Sequence, residues 1–294
     1  SERGPQLITL AIHHQTIYRY DKPLKFGPHR LLLRPRESRN LLLKSHDLQL
    51  RPEAVVTWAH DVFGNTVATA TFSEASTTLV IDSFAELTLD VDPWPVFQIS
   101  AYAANYPFLL TEDDMTDLGA LKLQSYLDST GHLRDWACSF VAGNPTDTLS
   151  LLKDMCAGVA TEVTYEVREE EYTQSPEQTL ARGRGSCRDF AALFVDAVRS
   201  LGFGARIVSG YLHDAEAQTI GSTGNGSTHA WAEVYVPGAG WITFDPTNRS
   251  VGGANLVPVA VARHILQTVP VSGSFVGARD SFERMEVKVA VKLT

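Results

Sequence analysis

The chain has 294 residues, 44% hydrophobic and 20% charged, enough for about two domains and a large core without covalent staples. Its formal net charge of −9 argues against a general nucleic-acid binder, which needs a basic field. No apolar run approaches the roughly 18 residues of a membrane-spanning helix, and the three cysteines, Cys138, Cys156 and Cys187, are too sparse and odd in number for a disulfide framework.

Ser1–Pro5 leads into no apolar stretch of the signal-peptide kind. With the free thiols this gives a cytoplasmic, reducing location, with no nucleic-acid or membrane partner. From residue 7 to about 95 the chain reads as strands. His13-Gln15-Ile17-Arg19 alternates with His14-Thr16-Tyr18-Tyr20, a period of two. Short apolar runs follow, separated by turn signals such as Asp21-Lys22-Pro23 and Phe63-Gly64-Asn65. An antiparallel β-sandwich-like domain over residues 1–95 is expected. Asp92-Pro93-Trp94-Pro95 ends it, because two close prolines break strand and helix alike.

Residues 112–160 read as helical, with Thr146 or Asp147 as a cap and Cys138 and Cys156 as small core hydrophobes. Ser175-Pro176-Glu177-Gln178 is a capping box with proline at the first helical position, and that helix stops at Gly183. A second helix starts at Ser186-Cys187-Arg188-Asp189. Strands follow at 205–212, 229–236 and 241–245, with a Gly-, Ser- and Thr-rich loop at 213–228 expected to be mobile and to gate a cleft. The tail, Met285–Leu293, alternates like an edge strand. It is assigned with the rest to a second domain, 96–294.

Cys187 falls at the positive end of a helix, where a thiol is more readily ionised. The low-bulk Gly183-Arg184-Gly185 approach leaves room for a substrate backbone. His229 opens a strand and Asp245 closes the next. A nucleophilic thiol needs a base, and the base needs an acceptor that fixes its tautomer. Cys187, His229 and Asp245 supply those three roles. A zinc site is disfavoured because the spacings of 42 and 16 residues lack a short paired motif. Asp90-Val91-Asp92 lacks the glycine and glutamate of a Ca²⁺ loop. No cofactor and no metal are expected.

Three blocks together carry a resemblance: Gly183-Arg184-Gly185-Ser186-Cys187-Arg188-Asp189-Phe190-Ala191, His229-Ala230-Trp231-Ala232-Glu233-Val234-Tyr235-Val236, and Gly240-Trp241-Ile242-Thr243-Phe244-Asp245-Pro246-Thr247-Asn248. In order and spacing they resemble the transglutaminase-like superfamily of papain-like fold. His29–Arg36 and Asp61-Val62-Phe63-Gly64-Asn65 resemble the N-terminal β domain of its bacterial members. The resemblance implies an α+β chain, a β domain followed by helices packed on an antiparallel sheet. It implies Cys187 as nucleophile, His229 as general base and acid, and Asp245 as orienter. The implied activity is that of a cysteine protease or amidase on a peptide or protein substrate. Protein-glutamine transamidation is one alternative, and a non-catalytic peptide-binding module another. The upstream tryptophan of eukaryotic transglutaminases is missing, so Tyr165, Tyr172 and Gln174 are candidates for a second oxyanion donor.

Strand register completes the reading. His229 and Asp245 share a sheet face only if directly opposed residues have an even number sum. Pairing in which the numbers add to 476 is expected, turning through Pro237-Gly238-Ala239 or a wider loop, with Trp231 opposite Asp245 and His229 opposite Thr247; an odd register would make Asn248 or Glu233 the alternative orienter.

Overall fold

The alternating apolar and polar residues of the first third bury every second side chain, from Leu10 and Ile12 through His14 and Thr16 of strand β1 (Gln6–Phe26). The computed structural model describes residues 6–92, 95–168, 172–213 and 227–294. Five further strands follow β1: β2 (His29–Leu31), β3 (Leu41–Arg51), β4 (Ala54–His60), β5 (Thr66–Phe72) and β6 (Ala75–Val91). Next come α1 (Glu112–Leu118), α2 (His132–Cys138) and α3 (Thr148–Glu162), with a short antiparallel pair, β7 (Asn105–Tyr106) and β8 (Thr146–Asp147). A short parallel pair, β9 (Thr164–Tyr165) and β10 (Arg184–Gly185), brackets α4 (Pro176–Arg182). Helix α5 (Cys187–Ser200) leads into β11 (Gly204–Leu212), β12 (Ser227–Val236), β13 (Gly240–Asp245), β14 (Ser250–Val251) and β15 (Leu256–Ala262). The chain ends in β16 (Val271–Ser272), β17 (Phe275–Val276) and β18 (Phe282–Leu293).

Two sheets form the first layer pair. One has the order β17-β1-β6-β3, with β18 also on β1; the other is β16-β2-β5-β4. Between them lie Leu24, Phe26, Leu31, Leu33, Ala70, Leu79 and Ile81. The second core is an antiparallel sheet, β14-β13-β12-β11-β15, with helices on one face. There α5 buries Phe190, Leu193, Phe194 and Ala197 against Ala230, Ala232 and Val234. The fold is thus α+β, as expected. The loop 213–228 lies almost wholly outside the described residues.

The tail is a correction. The alternating strand assigned to the 96–294 segment is β18, and it runs antiparallel to β1 from Leu10↔Leu293 to Tyr20↔Phe282. Its apolar face completes the cluster of Leu10, Ile12, Leu87 and Val291, so burial decides its partner. Cys138 is a second correction. It is exposed, one residue beyond buried Ala137 at the end of the short α2, whereas Cys156 is buried as expected.

The Asp61–Asn65 turn joins the two cores. Asp61 accepts the backbone N–H groups of Phe63 and Asn65 at 2.9 and 3.0 Å. Asn65 is fully buried, and its amide mimics a strand partner for edge strand β15. Its Nδ2 donates to the Val261 carbonyl at 2.7 Å, and the Val261 N–H donates to its Oδ1 at 2.9 Å. Phe63 packs with Val208, Trp231 and Val261 of the second sheet. Replacing Asn65 by Ala strands both Val261 backbone groups without a partner. The expected loss is about 2–4 kcal/mol, read as a lower urea midpoint for the whole chain.

Candidate active site

The approach to Cys187 is built from two caps. Ser175 and Gln178 exchange hydrogen bonds at 3.0 and 3.2 Å at the start of α4. Gly183 then leaves the helix in the left-handed region, φ 61°. The short β10 follows, and Cys187 is the first residue of α5. Closed by Asp189, the capping box expected at the start of α5 forms with Ser186 as its N-cap. The Ser186 N–H and hydroxyl both donate to Asp189 Oδ2, at 2.8 and 2.9 Å, because that carboxylate is the stronger acceptor.

His229 and Asp245 meet through the even register. Ala232↔Phe244 and Val236↔Gly240 add to 476, and the hairpin turns through residues 237–239. The ladder stops at Ala232↔Phe244, so the two further expected pairs do not form. The Thr247 N–H instead donates to Asp245 Oδ1 at 3.0 Å, and the chain turns away into β14. His229 Nε2 lies 2.8 Å from Asp245 Oδ2, with both side chains 1% exposed. Asn248 adds its Nδ2 to the same carboxylate at 2.8 Å. Trp231 stacks beside the imidazole, centroids 6.1 Å apart. Gly210, opposite His229, is required there, since a Cβ would run into the Val257 carbonyl and the Trp231 ring.

The other ring nitrogen of His229, Nδ1, is buried without an oxygen or nitrogen partner. It is left to the Cys187 thiol, which interacts with the ring. Burial alone would push the imidazole down. The charge and hydrogen bond of Asp245, with the thiol adding to them, instead lift His229 to about 10. Burial also opposes ionisation of Cys187, but His229, the Ala230 N–H and Arg188 outweigh it and hold the thiol below its ordinary value. Asp245, raised by burial, is brought below the usual carboxylate range by His229 and Asn248. The set favours a thiolate beside an imidazolium, with a carboxylate behind it.

Of the three proposed oxyanion donors, Tyr165 lies nearest in effect. Burial first, and then Cys187, raise its phenol to about 12. Gln174 is committed elsewhere, its Nε2 donating to the Arg184 carbonyl at 3.0 Å. Tyr172 is half exposed under the Arg168 guanidinium. Glu233, an alternative orienter, pairs with Arg206 at 2.6 Å instead. Asn248, the other alternative, joins Asp245 rather than replacing it. Arg168 was not singled out by the sequence; it forms a buried pair with Asp189 at 2.8 Å. Among the described residues no group of three His, Cys, Asp or Glu side chains is placed to hold a metal ion, and no helix is long and apolar enough to cross a membrane.

Residues 134–246 match the model of the transglutaminase-like superfamily, and residues 10–98 match that of the bacterial transglutaminase-like N-terminal region. Residues 134–246, the core of the chain, belong to the transglutaminase-like superfamily. An uncharacterized protein of Mycobacterium tuberculosis is 28% identical over 274 residues, 89% of this chain and 86% of that protein. One of Mycobacterium leprae is 37% identical over 98 residues, 33% of this chain and 34% of its own length. Among solved structures, a candidate cysteine protease from Cytophaga hutchinsonii shares the fold, with TM-score 0.72 and 19% identity over 97% of this chain and 91% of that one. In this transglutaminase-like chain the three motif residues of the sequence, Cys187, His229 and Asp245, stand at one place.

Cys187 should therefore react first with iodoacetamide at roughly pH 6, where an unperturbed thiol is almost fully protonated. Peptide mapping should show it modified well ahead of Cys138, although Cys138 is the more exposed of the two. Buried Cys156, whose thiol burial pushes up, should stay unmodified. Equal labelling of Cys187 and Cys138 would contradict the electrostatics above.

Proposed function

We propose that this transglutaminase-like chain is a cysteine-dependent acyl-transfer enzyme acting on an amide carbonyl, with hydrolysis of a peptide or amide bond as its reaction. The observation that supports this is the division of the His229 ring. One nitrogen is held by buried Asp245, and the other is left to Cys187 at a helix start. The Cys187 thiolate attacks the carbonyl carbon and forms a carbon–sulfur bond. The resulting oxyanion is met by the N–H groups at the start of α5. His229 passes its proton to the leaving nitrogen as the carbon–nitrogen bond breaks, giving a thioester and a free amine. Water then attacks the thioester while His229 takes its proton, releasing acid and restoring the thiolate–imidazolium pair. An amine in place of water would make the product a new amide, which is the transglutaminase alternative.

Asp245 orients the ring and stabilises the imidazolium without taking the proton. The competent ion pair exists between the ionisation of Cys187, below the ordinary thiol value, and that of His229 at about 10. Activity should rise on an acid limb as the thiol ionises and fall again as pH passes about 10. Incubation with a mixed library of peptides and primary amines, read by mass spectrometry, tests the reaction itself. Products carrying added water support hydrolysis, and products carrying the amine support transamidation. Cys187→Ala should abolish both with little change in melting temperature. Asp245→Asn should lower kcat by roughly 10²- to 10⁴-fold. A library left unchanged by the wild-type protein across this pH range would refute the enzymatic reading in favour of peptide binding.

A further inference from the structure

We infer that Asp189, held by the Arg168 guanidinium, is a positioning residue that fixes the turn presenting Cys187. This rests on the reading of Cys187 as the nucleophile. The Asp189 side chain is fully buried, and that of Arg168 is 4% exposed. Four donors converge on the carboxylate. Oδ2 accepts the Ser186 N–H at 2.8 Å, the Ser186 hydroxyl at 2.9 Å and Arg168 Nη1 at 2.8 Å; Oδ1 accepts the Gln174 N–H at 2.7 Å. Ending a helix does not require this. An exposed acidic side chain at the third helical position caps adequately, whereas burying an ion pair carries a large desolvation cost. What the buried pair adds is a tie between three segments.

Those segments are the start of α5, residues 184–186 before it, and the residues Arg168 and Gln174 that follow β9. The second tie is Gln174 Nε2 to the Arg184 carbonyl, 3.0 Å. Gly185 lies between the two ties with no space for a side chain, since a Cβ would stand 2.9 Å from Asp189 Cβ and 3.3 Å from Gln174 Nε2. The turn before Cys187 is thus clamped from both sides. Charge is matched as well. A bare carboxylate two residues beyond Cys187 would oppose the thiolate, and the guanidinium cancels it. The ionisable groups around the pair are Tyr126, which feels the Asp189 charge, and Arg188 on α5 itself. Those acting on Cys187 are His229 from β12, Tyr165 from β9 and Arg188.

The test follows the pH dependence of Cys187 alkylation by iodoacetamide in the full chain, which requires no substrate, beside melting temperatures. Arg168→Gln leaves the carboxylate uncompensated and should move the midpoint up by roughly one pH unit. Asp189→Asn leaves the guanidinium uncompensated and should move it down. Arg168→Lys keeps the charge and should restore the wild-type midpoint. A purely structural strut would lower the melting temperatures and leave the midpoints in place. Wild-type midpoints in both Arg168→Gln and Asp189→Asn would overturn the inference, as would a displaced midpoint in Arg168→Lys. If neither Arg168→Gln nor Asp189→Asn folds, Gly185→Ala, whose Cβ would stand 2.9 Å from Asp189 Cβ, decides: a displaced midpoint supports the inference and a wild-type one overturns it. His229→Ala separates this from the parent reading. It should raise the midpoint toward the ordinary thiol value, and if it does not, the Cys187–His229 pairing fails whatever Asp189 does.

Discussion

Everything at the site depends on the hydrogen bond between His229 and Asp245, and that bond depends on strand register. The two residues sit on neighbouring strands and reach each other only because Ala232 opposes Phe244. A slip of one residue would turn every side chain of one strand to the opposite face. The hairpin guards against this. Gly238 occupies a left-handed conformation, φ 87°, and leaves no space for a Cβ beneath the Gln98–Ser100 backbone. The Ser100 N–H donates to the Pro237 carbonyl at 2.9 Å. The linker between the two cores thus holds the turn that holds the register.

Burial and charge act in opposite directions at this place, and charge prevails. Desolvation alone would leave His229, Asp245 and Cys187 all neutral. Each is instead shifted toward its charged form by its neighbours, so none of the three has its character alone. Removing one partner from such a set leaves the others in an environment hostile to their charge. Trp231 excludes water from behind the imidazole, and Phe63 of the first core packs against the same cluster. The β domain therefore forms part of the back wall of the site.

Much of this was legible in the sequence because its determinants are local. Cys187 at a helix start is marked by the glycines before it and the acid two residues after it. The parity of 229 and 245 required an even register, and Pro237-Gly238-Ala239 supplied a turn of the right length. What was illegible is non-local. Arg168 and Asp189 are 21 residues apart, and no periodic pattern links an arginine in a loop to a carboxylate in a helix. The alternation of Met285–Leu293 declared a strand but not its neighbour, which is fixed by the apolar face of β1. Cys138 looked like a core residue because its neighbours are apolar. Its helix has only seven residues, and the buried stripe falls on Leu133 and Ala137.

The pairing of β1 with β18 has a consequence for biosynthesis. β1 leaves the ribosome long before β18, yet one of its two flanks is covered by residues 282–293. Until those residues emerge, that flank presents unpaired backbone groups, and Leu10 and Ile12 lack their covering neighbours. The nascent chain must keep this edge from pairing with another molecule while more than two hundred residues are still being made, at about 5–20 residues per second. Closure of the first sheet thus waits for residues 282–293, and the edge of β1 stays open to self-association for as long as the intervening chain takes to be made.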